Sequence, residues 1–224
     1  HVAQSTKIYD RTGEIPLYEL SAGERRTVIP FEEIPQSMKD AVISVEDQEF
    51  YQESAISIRG IIRAGFANLF HGGVVQGGST ITQQLAKNAF LTLDQTPIRK
   101  LKELLLAIRI NQNYSKDQIL ALYLNEIPYG PSVYGIETAS QVFFGKPARE
   151  LTIAESATLV GIAKAPTYYS PYGIHTKELI ARKEANLRKM RDAGKITDAQ
   201  LAEALAEEVT FSSQQNGIKA PHFV

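Results

Sequence analysis

One local device stands at three expected helix starts in this sequence: a Ser or Thr followed three residues later by Gln or Glu, at Ser115/Gln118, Thr152/Glu155 and Thr197/Gln200. In that spacing the first side chain accepts a hydrogen bond from the third backbone N–H of a helix, and the third side chain reaches back to the first residue's N–H. Each pair therefore marks a helix start. Thr96 followed by Pro97 marks another, because proline at the first helical position has no donor to leave unpaired. Gly194 reads as a helix stop. From Pro35 onward apolar residues recur at helical spacing, with Met38, Ala41, Val42 and Val45 leading into Glu46 and Asp47. The chain is mainly α.

The first thirty residues differ. Short β-prone runs, Lys7–Tyr9, Leu17–Leu20 and Thr27–Ile29, alternate with Gly13, Pro16 and Gly23 and predict a small hairpin. Ser57 is placed to cap a helix with an apolar stripe of Ile58, Ile61, Ile62, Phe66 and Leu69. The helix after Pro97 is expected to bury Ile98, Leu101, Leu105 and Ile108. At 224 residues the chain can bury a sizeable core without staples. It has no cysteine, which excludes disulfides and thiolate chemistry, and its four histidines are scattered. A net charge of −1 gives no bulk attraction to nucleic acid. No window of about 20 apolar residues is present to span a bilayer.

Three segments carry candidate chemistry. Glu46 and Asp47 close an apolar helix beside Phe50 and Tyr51, a setting in which a carboxylate can take a proton near neutral pH, although a solvated helix end has the same appearance. The run from Gly77 to Asn88, GGSTITQQLAKN, places two glycines and two hydroxyls, Ser79 and Thr80, at a helix start expected at Ser79. Free N–H groups and the helix dipole suit a phosphate or diphosphate there, with Lys87 two turns on. No GK[ST] follows the glycines, so a nucleotide loop is not indicated. Arg99, Lys100 and Glu103 stand at i,i+4 and i,i+3 spacing, which by itself reads as surface ion pairing.

In order, EDQEF (46–50), QGGSTITQQLAKN (76–88), RKLKE (99–103), YSKDQILALYLNEIPYG (114–130) with YGIETASQVFFGK (134–146), and LTIAESATLVGIAKAPTYYSP (151–171) resemble the family 51 glycosyltransferases. These are peptidoglycan polymerases, found in class A penicillin-binding proteins and as monofunctional enzymes. The resemblance covers nearly the whole chain. It implies a lysozyme-like, two-lobed helical domain over 35–212 with a membrane-facing lobe around 56–78. An N-terminal β-rich segment, 1–34, would pack on that domain, and 213–224 would begin a linker towards a transpeptidase. It also implies an anchoring helix before His1 and a location at the extracytoplasmic face of the bacterial inner membrane.

The activity implied is polymerisation of lipid II into β-1,4 glycan strands, with inversion and release of undecaprenyl diphosphate. Glu46 matches the family's general base on the acceptor hydroxyl. Glu103 matches the second glutamate, which organises the diphosphate and its cations. Asp47, Ser79, Thr80, Gln84, Lys87, Asn88, Arg99 and Lys100 match the substrate-binding set. Mg²⁺ or Mn²⁺ is the metal that the resemblance brings with it, with no organic cofactor. The partners implied are lipid II, the growing glycan strand, the membrane interface and other cell-wall synthesis proteins, and moenomycin is the expected inhibitor. The apolar stretch Ile61–Val75 could dip into the interface or be ordinary core.

The sequence departs from the family pattern at Gln48, Glu53 and Ala55, where a basic residue, His and Gly are usual, and at Gln95, where an arginine is common. Lost cations near a diphosphate site weaken its binding by roughly 1.5–3 kcal/mol for each charged hydrogen bond. A weak or inactive lipid II-binding domain is therefore one alternative, and a lysozyme-like glycan-cleaving enzyme another. The latter has no need of the 77–87 loop or of Arg99 and Lys100. No SxxK acylation motif occurs in the chain.

Overall fold

The computed structural model describes residues 6–9, 16–20, 25–52, 79–90 and 97–212. The described fold is mainly helical: α1 (Gln36–Glu46), α2 (Ile81–Phe90), α3 (Pro97–Asn113), α4 (Lys116–Glu126), α5 (Ile136–Phe144), α6 (Ile153–Lys164), α7 (Thr176–Asp192) and α8 (Asp198–Ala206). All three capping boxes form, at the starts of α4, α6 and α8, with both reciprocal bonds present. Gly194 adopts φ +68° just past α7, and the Lys195 N–H closes on the Met190 carbonyl at 2.9 Å.

Helix α6 is the centre of the molecule. It is buried all round from Ala154 to Ile162 and packs against α1 and α7. A helix with no polar face is stable only as an interior element, and α6 has that composition, with its polar residues confined to caps and buried bonds. Asn186 of α7 donates to the Ala157 carbonyl at 2.9 Å, and Ser37 of α1 meets Ser156 at 2.9 Å, so α6 is fixed by hydrogen bonds as well as by burial. Helix α2 packs on both α3 and α4, which carries the second chemical segment onto the body built by the first.

The N-terminal hairpin pairs β1 (Thr6–Tyr9) with β2 (Pro16–Leu20), antiparallel as expected. The third β-prone run behaves differently from its sequence reading. Strand β3 is Arg25–Arg26, two residues earlier than expected, and it pairs in parallel with β5 (Val133–Tyr134), which lies antiparallel to β4 (Pro128–Gly130). Its partners come from more than 100 positions downstream, beyond any local signal. Asn125 locks this junction: its Oδ1 accepts from the Ile29 N–H, and its Nδ2 donates to the Ile29 and Ala121 carbonyls, at 3.0, 3.0 and 2.8 Å. Gly135 turns the chain from β5 into α5 with φ +79°, and a Cβ there would stand 2.7 Å from the Asn125 carbonyl oxygen, so only glycine fits.

The expected burial of α3 is corrected. Ile98, Leu101 and Leu105 are 69, 57 and 54% exposed, and Ile108 is half-buried; the buried stripe is Glu103, Ala107 and Ile110. Helical periodicity finds an apolar stripe but does not say which phase it faces. Here the inward stripe includes a carboxylate, tolerated because a lysine reaches it. The helix expected after Ser57, the stretch Ile61–Val75 and its lobe around 56–78, the departures Glu53, Ala55 and Gln95, and residues 213–224 lie outside the described residues.

Candidate active site

Glu46 is the last residue of α1 and Asp47 its C-cap, so both carboxylates leave the helix where its backbone ends. Phe50, 1% exposed, anchors the turn that follows, and the Lys116 ammonium sits 4.7 Å from its ring centre. Asp47 turns toward α2 and accepts the Ile81 N–H at 3.2 Å. A carboxylate at that position satisfies an unpaired helix donor and lies favourably on the positive end of the dipole. It ties the end of α1 to the start of α2. The N-cap of α2 is Thr80, whose Oγ1 accepts from the Gln83 N–H at 3.3 Å and whose carbonyl accepts from Gln84 N–H, rather than Ser79.

That shift of one residue frees Ser79 for another role. Its Oγ accepts from Lys100 Nζ at 3.1 Å, and the same ammonium meets Glu103 Oε1 at 2.5 Å. Glu103 is 2% exposed, whereas the Lys100 side chain is 54% exposed. The pair is therefore no surface ion pair. A buried carboxylate holds one side of an ammonium whose other side remains open to solvent. Arg99 stands half-buried beside it.

One turn into α2, Gln84 Nε2 donates to Glu46 Oε2 at 2.7 Å, and Gln84 Oε1 accepts from the Tyr123 hydroxyl at 3.3 Å. Tyr123 lies on α4, 3% exposed. Burial first, then the charge of Glu46 and the neighbouring Tyr129, hold its pKa well above the usual phenol value. Thr82, also buried, lies 3.5 Å from Asn111 of α3.

The structure thus gathers Glu46, Asp47, Ser79, Thr80, Gln84, Lys100 and Glu103 around the first turn of α2. Lys87 and Asn88 are exposed in its last turns and take no part in this network. Tyr123 and Lys116 escaped sequence reasoning. A tyrosine among apolar helix residues reads as core, and nothing local says that its hydroxyl meets a glutamine 39 positions earlier. Gln48 is exposed and bonds back to the Ser44 carbonyl at 3.2 Å.

Chemically, this is one half-buried carboxylate held by a neutral amide and, across the head of α2, a second carboxylate committed to a cation. The first is dressed as a proton acceptor and the second as a holder of positive charge. Among the described residues no group of three or more His, Cys, Asp or Glu side chains is arranged to hold a metal ion.

Comparison with known proteins gives the family. The transglycosylase family profile matches residues 13–191. Penicillin-binding protein 1F of Bacillus subtilis is 43% identical over 195 residues, covering 86% of this chain and 27% of that protein. Penicillin-binding protein 1A of Aquifex aeolicus is 40% identical over 211 residues, covering 94% of this chain and 29% of that protein. The crystal structure of penicillin-binding protein 1A from Haemophilus influenzae superposes with a TM-score of 0.51 over 96% of this chain and 22% of that one, at 22% identity, a likeness of fold. The chain spans between a quarter and a third of the length of these two curated relatives. With the profile covering most of the sequence, the chain belongs to the transglycosylase family.

Proposed function

We propose that this chain polymerises lipid II into β-1,4 peptidoglycan glycan strands with inversion, releasing undecaprenyl diphosphate. The observation that carries the reading is the division of labour between the two glutamates. Glu46 is held by an amide at 2.7 Å and has no cation among its hydrogen-bond partners on the described residues, whereas buried Glu103 is bound to Lys100. Transfer from a diphosphate needs one positioned base on the acceptor hydroxyl and no protonated acid, because diphosphate leaves as an anion.

In this mechanism Glu46 takes the proton of the acceptor's 4-hydroxyl as its oxygen attacks the anomeric carbon from the face opposite the diphosphate. The C–O bond to diphosphate breaks, and the electron pair departs with it. Lys100, with Arg99 beside it, meets the charge that develops; Ser79 and Glu103 keep the Lys100 ammonium in place, so the stabilisation is preorganised. Asp47 sets the turn that presents the base. Lys87 and Asn88 serve substrate further along α2. The described donors do not build a cage for Mg²⁺ or Mn²⁺, since Glu103 is already engaged by Lys100. No described helix is long and apolar enough to cross a membrane. The substrate's lipid puts the reaction at a membrane surface, which this reading takes as the extracytoplasmic face of the inner membrane, where other cell-wall synthesis proteins are the natural partners.

The test is lipid II polymerisation in detergent, with and without a chelator, comparing the parent with Glu46→Gln and resolving products by size. Strands from the parent and none from the variant support the reading. A folded parent that binds lipid II but forms no strands would replace it with a binding role, and shortening of preformed glycan would replace it with hydrolysis.

A further inference from the structure

Both ends of the Gln84 carboxamide are occupied, Nε2 by Glu46 and Oε1 by Tyr123. The nitrogen and oxygen of an amide are nearly alike in size, so packing cannot choose between its two orientations; only hydrogen-bond partners can. An ionised Glu46 accepts and never donates, which turns Nε2 toward it. Oε1 must then find a donor on the other side, and Tyr123 supplies one from a site only 3% exposed. Burial and the nearby carboxylate disfavour the phenolate, so this hydroxyl remains a donor throughout the working pH range.

We infer that Tyr123 is a positioning residue for the base, acting through the Gln84 amide to hold the Glu46 carboxylate toward the acceptor hydroxyl. The inference rests on the polymerase reading above and deepens it. The chain of bonds is also reversible, because a phenol can accept as well as donate. Once Glu46 has taken the acceptor's proton it becomes a donor. A half-turn of the amide then presents Oε1 to the Glu46 O–H and Nε2 to the Tyr123 oxygen, so both ends of the amide stay paired. The proton later leaves Glu46 for solvent, and the amide turns back. Gln84 in this role is not a sugar ligand: its polar atoms are spent on keeping one carboxylate aligned in both protonation states.

The experiment is steady-state lipid II polymerisation by the parent, Tyr123→Phe, Gln84→Leu and the double variant, with thermal midpoints measured in parallel. Leaving the Gln84 oxygen without its donor should lower kcat of Tyr123→Phe about tenfold, the size expected for one unpaired buried acceptor, with KM for lipid II little changed. Gln84→Leu should lose at least as much, and the double variant should be no slower than Gln84→Leu, since Tyr123 acts only through the amide. A Tyr123→Phe enzyme with the parent's kcat, a change confined to KM, or the full Tyr123→Phe loss repeated on top of Gln84→Leu would each overturn the inference. An inactive parent would overturn the polymerase reading and this inference together. An active parent silenced by Glu46→Gln but indifferent to Tyr123→Phe would overturn this inference alone.

Discussion

Replacing Lys100 by methionine separates what the Lys100–Glu103 pair does for stability from what it does for chemistry. The change keeps most of the stem's length and apolar volume and removes the ammonium, leaving Glu103, 2% exposed, with its 2.5 Å partner gone. Breaking a fully buried pair costs about 3–5 kcal/mol, but Lys100 is 54% exposed, so water can move in where the ammonium was. The expected loss is therefore about 1.5 kcal/mol. For a chain of this size that lowers the thermal midpoint by roughly 5 °C. Adding Glu103→Gln removes the charge that needed compensation, so the Lys100→Met/Glu103→Gln protein should regain most of the lost midpoint in differential scanning calorimetry. Polymerisation should not return, because diphosphate departure needs the cation and not the neutral pair. A single variant as stable as the parent would refute the burial argument. A double variant less stable than the sum of the singles would refute the compensation, and a double variant that polymerises normally would refute the role assigned to the cation.

Other outcomes follow from the same geometry. Asn125→Ala strips two buried bonds to residue 29 and a part-buried one within α4, and should cost about 2–3 kcal/mol in urea unfolding with an unchanged slope. Gly135→Ala forces a Cβ against the Asn125 carbonyl at φ +79° and should cost about 2 kcal/mol or more by the same measurement. Thr152→Ala removes the cap of the central helix, and with it the 2.6 Å bond to Glu207, lowering stability by about 1–2 kcal/mol. Tyr123 and Tyr129, both buried, have pKa values raised, chiefly by burial. The folded chain then holds these protons while the unfolded chain releases them above about pH 10, so stability should be intact below that pH and fall as pH rises past it. Phenolate absorbance should show these tyrosines ionising only as the chain unfolds; normal titration in the folded state would contradict the burial.

What the sequence determined was whatever depends on neighbours a few residues apart. The capping boxes at Ser115, Thr152 and Thr197, the Gly194 stop and the α1 stripe of Met38, Ala41 and Val42 are all set by contacts within one or two helical turns, and each formed as read. The motif order from Glu46 to Pro171 was also enough to name the family that the profile and the relatives show. Long-range pairing belonged to the tertiary structure: that β3 joins β5 across the molecule, that Thr80 caps α2 and leaves Ser79 for Lys100, and that α3 turns Glu103 inward while Ile98, Leu101 and Leu105 face out. Periodicity records the spacing of apolar side chains but not which element arrives to cover them. A carboxylate facing inward is decided by whether another residue can bring it a proton donor, and for Glu103 and Glu46 those donors, Lys100 and Gln84, were already in the sequence with nothing local to say where they would point.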